Sequence, residues 1–143
     1  MGDLTANFDR YEFRCRGFHC CGHSAPIALE FVYGLQALRN LLCAELGIQV
    51  HIYVTSGFRC RTHDLEEARG RGATPEQLAA RNSQHCLGTA ADVIAPAAGP
   101  DLLAALAERI PPFARGGIGR YTGSRHDMVH LDVRTDGPVR WTE

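Results

Sequence analysis

The sequence predicts a single α+β domain. Three observations carry that expectation. A helical apolar repeat over 26–46 is followed at once by a strict alternation over 48–55, so both periods occur in one short chain. Further helix-like and strand-like segments follow without the regular βαβ rhythm of a parallel α/β fold. The length of 143 residues, 45% of them hydrophobic, suits one domain with its own core.

The elements follow in order. Residues 1–24 read as irregular and carry a tight cluster of Cys15, His19, Cys20, Cys21 and His23. Over 26–46, Val32, Leu35, Leu38, Leu42 and Leu46 recur at helical spacing, and Gly47 is a suitable stop. Residues 48–55 alternate like a half-buried strand, with Ile48, Val50, Ile52 and Val54 toward the core. Ser56-Gly57-Phe58-Arg59 then leaves the strand as a turn. Residues 61–82 are polar, with one short helix over Pro75–Arg81, capped by Thr74 and opened by Pro75. Asp64, Glu66, Glu67, Arg69 and Arg71 in this stretch read as a solvated flap or as one wall of a substrate groove.

A short strand is expected over 90–95. Pro100-Asp101 opens a helix that runs through Ile110 and ends at Pro111-Pro112. The glycines of 116–121 suggest a strand with a close backbone approach. Residues 128–133 form the second clear strand. Its alternation sends Val129, Leu131 and Val133 to the core, and Met128, His130, Asp132 and Arg134 to the opposite face.

Composition excludes several functions. The fifteen basic residues are all arginine and face sixteen acidic ones, for a net charge of −1. Without lysine there is no Schiff-base chemistry and no P-loop. Without a basic excess, no nucleic acid is expected as a partner. No apolar run approaches the ~18 residues of a membrane span, and the N-terminus does not read as a signal peptide. The sequence is expected to be made in a cytoplasm and to act as a monomer. Seven histidines and six cysteines are the unusual counts, and they invite a metal or disulfide reading.

Two segments offer a zinc ligand set. One is Ser83-Gln84-His85-Cys86-Leu87-Gly88-Thr89-Ala90-Ala91-Asp92. The other is His126-Asp127-Met128-Val129-His130-Leu131-Asp132. Together they supply His, Asp and His, and a catalytic zinc keeps three protein ligands and one open position. Gly88 and the small residues around it let the chain turn from His85 back to Asp92.

The pattern Ser83-x-His85-x-x-Gly88-x-Ala90-x-Asp92, followed by His130-x-Asp132, resembles the zinc D-Ala-D-Ala carboxypeptidases of peptidase family M15, in their short single-domain form. Ser56-Gly57-Phe58-Arg59-Cys60, Gly117-Ile118-Gly119 and Gly137-Pro138-Val139-Arg140-Trp141 add to the likeness, which runs from about residue 26 to the end of the sequence. The resemblance implies a small, mainly antiparallel sheet with helices packed on one face, the hedgehog/DD-peptidase fold, over residues 1–143. It implies Zn2+ held by His85, Asp92 and His130, and peptidoglycan peptides as substrate. Arg59 matches the family arginine that binds substrate and polarises its carbonyl, and Ser83 holds the first motif by hydrogen bonding. Asp127, three positions before His130, matches the family's general base. Strand parity puts Asp127 on the wrong face unless the chain departs from strand geometry before Met128, and Asp132 is the rival. His126 departs from the family spacing.

The resemblance also implies action on the cell wall, and an N-terminus unlike a signal peptide suggests a phage-type lysin, a virion-associated enzyme or a fragment of a secreted protein. Hedgehog signalling domains share the fold and zinc pattern, so an inactive zinc-binding recognition module is the alternative. The cysteines leave three readings: a structural zinc on the Cys15–Cys21 cluster with Cys60, a disulfide such as Cys15 or Cys20 to Cys60, or buried thiols. Adjacent Cys20 and Cys21 are not expected to enter one small site together. Cys86 reads as a small buried hydrophobe and Cys43 as packed on the first helix.

Overall fold

A computed structural model describes residues 2–123 and 127–143. The first long element is helix α1, Leu29–Leu46. It buries Phe31, Leu35, Leu38 and Leu42 along one face, the stripe expected of a helix packed on a core. It stops at Gly47, which takes the left-handed φ of 68° and returns its amide to the Cys43 carbonyl, a conformation that costs glycine least.

Strand β1 covers only Tyr53–Ser56, half of the expected run. Val50, Ile52 and Val54 are buried as predicted, but Ile48 is 55% exposed. The reason lies in the neighbour. Strand β2, Ala90–Ile94, begins its antiparallel pairing at Tyr53↔Ile94, so residues before 53 have no ladder partner there. Between β1 and β2 lie α2, Arg61–Gly70, and α3, Pro75–Ala80. Thr74 caps α3 as expected, its hydroxyl accepting from the Gln77 amide. The helix α2 was not expected from so polar a stretch, and it buries Asp64 and Ala68.

Helix α4, Gly99–Ala107, and helix α5, Pro111–Arg115, follow. Helix α4 stops at Ala107, three residues short of the expected Ile110, and Pro111-Pro112 opens α5, because proline suits the first helical turn. Strands β3, Gly117–Tyr121, β4, Met128–Asp132, and β5, Val139–Thr142, complete a five-stranded sheet in the order β1-β2-β4-β3-β5. All neighbours are antiparallel except β5, which runs parallel to β3. The fold is therefore a small α+β domain with a mostly antiparallel sheet.

Helices α1, α4 and α5 cover one face of this sheet, where Val93, Val129 and Leu131 meet Phe31, Leu103 and Phe113. The Phe31 and Phe113 rings meet edge-on at 5.3 Å. The irregular N-terminal segment belongs to this core. Phe8 and Phe13 are buried in it, each contributing about 1.5–3 kcal/mol of burial. Helices α2 and α3 contribute nothing to this core, and Gln77 of α3 borders the same cleft as Asp92 of β2 and His130 of β4. Among the described residues, no helix is long and apolar enough to cross a membrane.

Candidate metal centre

The antiparallel register pairs Asp92 of β2 directly with His130 of β4, so both side chains leave the same face at the same level. His85 arrives from a short 3-10 turn, Gln84–Leu87. That turn is held at both ends. The Ser83 hydroxyl accepts the His85 amide at 3.3 Å, and Gly88 closes the turn at φ 69°. A Cβ on Gly88 would also lie 2.7 Å from the Pro26 carbonyl oxygen, so no other residue fits.

The three side chains converge in a buried position. His130 Nδ1 lies 3.0 Å from Asp92 Oδ1, and His85 Nε2 lies 3.4 Å from the same oxygen. All three donor atoms fall within 4.8 Å of one another. Tetrahedral zinc with bonds of ~2.0–2.2 Å spaces its ligand atoms about 3.3 Å apart, so the donor set fits.

The far nitrogen of each ring decides its tautomer. His85 Nδ1 is 2.7 Å from the Gly57 carbonyl, so it carries the proton and leaves Nε2 with a free lone pair. His130 Nε2 is 2.9 Å from Asp132 Oδ2 and donates there, so Nδ1, 3.0 Å from Asp92 Oδ1, is the nitrogen that would turn to a metal. Burial pushes the His130 pKa down, but Asp132 and Asp92 raise it overall. Burial opposes ionisation of Asp92 too, yet both histidines hold it far below the usual carboxylate range.

Two ion-pair networks hold Asp92 and His130 from behind. Arg59 directs Nη2 to Asp92 Oδ2 at 3.2 Å, Nη1 to Asp64 Oδ1 at 3.2 Å and Nε to the Ser56 hydroxyl at 3.0 Å. Arg81 grips Asp64 through both Nε and Nη2. Asp64 is thus the buried hub of Arg59 and Arg81, which corrects its reading as part of a solvated flap. Nothing in the polar 61–82 pattern marks it.

The second network centres on Asp132, which is fully buried. Its Oδ1 accepts from the Gly117 amide at 2.8 Å, from Arg134 Nε at 2.9 Å and from the Arg134 amide at 3.1 Å. Its Oδ2 accepts from Arg134 Nη2 at 2.6 Å and from His130. A Cβ at Gly117 would run into this carboxylate, so the glycine makes room for it. Five donors thus engage the two oxygens of Asp132, the second candidate for the general base.

A cleft of about 650 Å3 opens over the ligands. Arg59, Ser83, Arg81, Arg134, Tyr121 and Trp141 are among its walls. Trp141 lies with its ring centroid 5.0 Å from that of His130, and its indole N–H donates to the Tyr121 hydroxyl at 2.8 Å. A Cβ at Gly119 would collide with that indole, which accounts for the close approach expected over 116–121. Sequence reasoning gave Tyr121 and Trp141 no place in the site.

Asp127 is not among the residues lining the cleft. It is exposed, accepts from the Gly123 amide at 3.0 Å, and borders a small apolar recess with Val93, Pro96 and Leu103. Strand parity is the cause: Asp127 shares the side of Val129 and Leu131, away from His130. His126 and Ser124-Arg125 lie outside the described residues.

No curated protein and no solved structure gave a significant match. A family model for peptidase M15 matches residues 6–132, most of the sequence. Such peptidases are generally zinc-dependent, and His85, Asp92 and His130 are groups able to hold the ion. The chain belongs to the peptidase M15 family.

Proposed function

We propose that this M15 peptidase is zinc-dependent and hydrolyses peptide bonds of peptidoglycan. The observation that supports it most is the convergence of His85 Nε2, Asp92 Oδ1 and His130 Nδ1, with the other nitrogen of each ring already committed to an acceptor. Zinc bound there supplies a Lewis acid for the amide carbonyl and acidifies a water.

The chain's own residues do the rest. Asp92 is oriented by Arg59, and His130 by Asp132, so neither ligand has to reorganise when the metal or substrate arrives. Arg59 lines the cleft while locked between Asp92 and Asp64, so a substrate carbonyl or carboxylate meets a cation already in place. Ser83 keeps the His85 turn closed. Trp141 and Tyr121 form an amphipathic wall suited to a peptide stem.

Of the two acidic candidates for the general base, Asp127 is the one whose carboxylate is exposed, while Asp132 is saturated with donors. Asp127 takes the role only by leaving the Gly123 amide and crossing to the cleft side. It would then accept a proton from the attacking water and return it to the leaving amine. Its position outside the cleft also favours a second reading, a zinc-binding recognition module without catalysis.

One experiment separates the two. Purified peptidoglycan is digested with the wild type, with chelated protein and with Asp127→Asn, and the products are weighed by mass spectrometry. Zinc-dependent release of terminal D-Ala, or of cleaved cross-links, supports the enzyme and reports which bond is cut. Full zinc occupancy with no cleavage in any arm supports the binding module.

A further inference from the structure

The cysteine cluster is a second constellation, and the zinc centre does not use it. Cys15, Cys20 and Cys21 come from the N-terminal segment, and Cys60 caps the start of α2. Their four sulfurs all lie within 4.8 Å of one another. Cys15 Sγ is 3.5 Å from Cys20 Sγ, and Cys20 Sγ is 3.9 Å from Cys21 Sγ. None is paired as a disulfide. Tetrahedral zinc–thiolate bonds of ~2.3 Å space the sulfurs about 3.8 Å apart, whereas a disulfide needs ~2.05 Å. The two Cys20 spacings are close to that of sulfurs around one ion, and all four sulfurs are near enough to share it.

Adjacent cysteines reach one site here because the chain reverses after them. Gly22 and His23 both take left-handed φ values of 71° and 64°. For a histidine that conformation is costly, and it is held by several bonds. His23 Nδ1 lies 2.8 Å from the Cys15 carbonyl, the Cys15 amide donates to the Ser24 carbonyl, and the Ser24 hydroxyl donates to the Cys21 carbonyl. The expectation that Cys20 and Cys21 could not share a site is therefore corrected.

Burial pushes the Cys15 and Cys20 thiols up, while N–H groups face the sulfurs. The Cys60 amide approaches Cys15 Sγ at 3.5 Å, the His63 amide approaches Cys60 Sγ at 3.5 Å, and His63 Nδ1 lies 3.3 Å from Cys15 Sγ. N–H groups aimed at sulfur are the usual outer support of a metal–thiolate site. Gly17 lets the chain close over the cluster, since a Cβ there would sit 2.7 Å from Cys20 Sγ.

We propose that Cys15, Cys20, Cys21 and Cys60 bind a structural Zn2+ that clamps the N-terminal segment to the turn carrying Arg59. A four-thiolate tetrahedral set selects zinc, with iron as the chemical competitor. Such closed sites leave no open position, so this ion is structural. Its reach into the active site is short. Cys60 follows Arg59 directly, and the same clamp is continued by the Phe58 amide donating to the Phe13 carbonyl at 2.8 Å.

The test uses the full-length chain purified with a reductant, with zinc counted by elemental analysis. The wild type is expected to hold about two ions and His85→Ala/His130→Ala about one. Cys20→Ser/Cys21→Ser should also fall to about one. Should that cysteine variant fail to fold, cobalt substitution of the histidine variant decides instead. A thiolate-to-cobalt charge-transfer band with tetrahedral d–d bands supports the site. The proposal is overturned by a histidine variant that binds no metal, by six freely titrating thiols, by a mass deficit that reports a disulfide, or by iron in place of zinc. Peptidase activity enters none of these readouts, so the inference stands or falls apart from the proposed function.

Discussion

Replacing Asp132 by asparagine separates a positioning carboxylate from a general base. Asparagine matches the volume, but one of its two terminal atoms becomes an N–H donor. Oδ1 of Asp132 faces three donors, from Gly117 and Arg134, and Oδ2 faces two, from His130 and Arg134. The amide therefore keeps its oxygen toward Gly117 and turns its NH2 toward His130 Nε2. His130 can satisfy that contact only by moving its proton to Nδ1, the nitrogen that faces Asp92 and the metal position. Loss of such outer support typically lowers metal affinity 10–100-fold, or about 1.4–2.7 kcal/mol. The assay is zinc competition against a chromophoric chelator, followed by turnover at saturating zinc. We expect weakened zinc binding with most of the turnover recovered once the site is filled. Unchanged zinc affinity together with abolished turnover would refute the reasoning and make Asp132 the base.

Four further outcomes follow. Asp127→Asn should retain zinc and thermal stability but lose ~10²–10⁴-fold in kcat if it serves as the base, read from peptidoglycan digestion rates. Asp64 lies below its ordinary pKa. Burial raises it, but the hydrogen bonds and charge of Arg81 and the charge of Arg59 outweigh burial. Its stabilising contribution is therefore present above the unfolded value of ~3.9 and lost as pH falls through the lower folded value, a slope that urea melts of Asp64→Asn should lack. Phe113→Ala, at the edge-on contact with Phe31, should cost about 3–5 kcal/mol in denaturant unfolding. Removing zinc with a chelator should lower the melting temperature, since zinc at 1,000 times its Kd stabilises the folded state by about 4 kcal/mol.

The grouping of His85, Asp92 and His130 was legible because these residues sit at fixed spacings on short, well-defined elements. Parity alone put His130 and Asp132 on one face of β4, and the turn around Gly88 returned the chain to Asp92. The same parity rule explains why Asp127 falls outside the cleft. The core helix, the strand alternation and the double proline were legible for similar reasons, since period and punctuation are local properties. The truncation of β1 was not, because an edge strand ends where its neighbour ends.

What the sequence by itself determined is which residues are available for chemistry: two histidines and an aspartate at motif spacing, arginine as the sole basic side chain, and a cysteine cluster near the N-terminus. Tertiary structure decided what each one does. Asp132 is saturated with donors only because Gly117, Arg134 and His130 surround it. Asp64 becomes a buried hub only because Arg59 and Arg81 close on it from separate segments. Cys60 meets Cys15 only because Phe8 and Phe13 draw the N-terminal segment into the core. A side chain's hydrogen-bond partners and its exposure to water set its protonation and its role, and both are properties of distant residues brought together by folding.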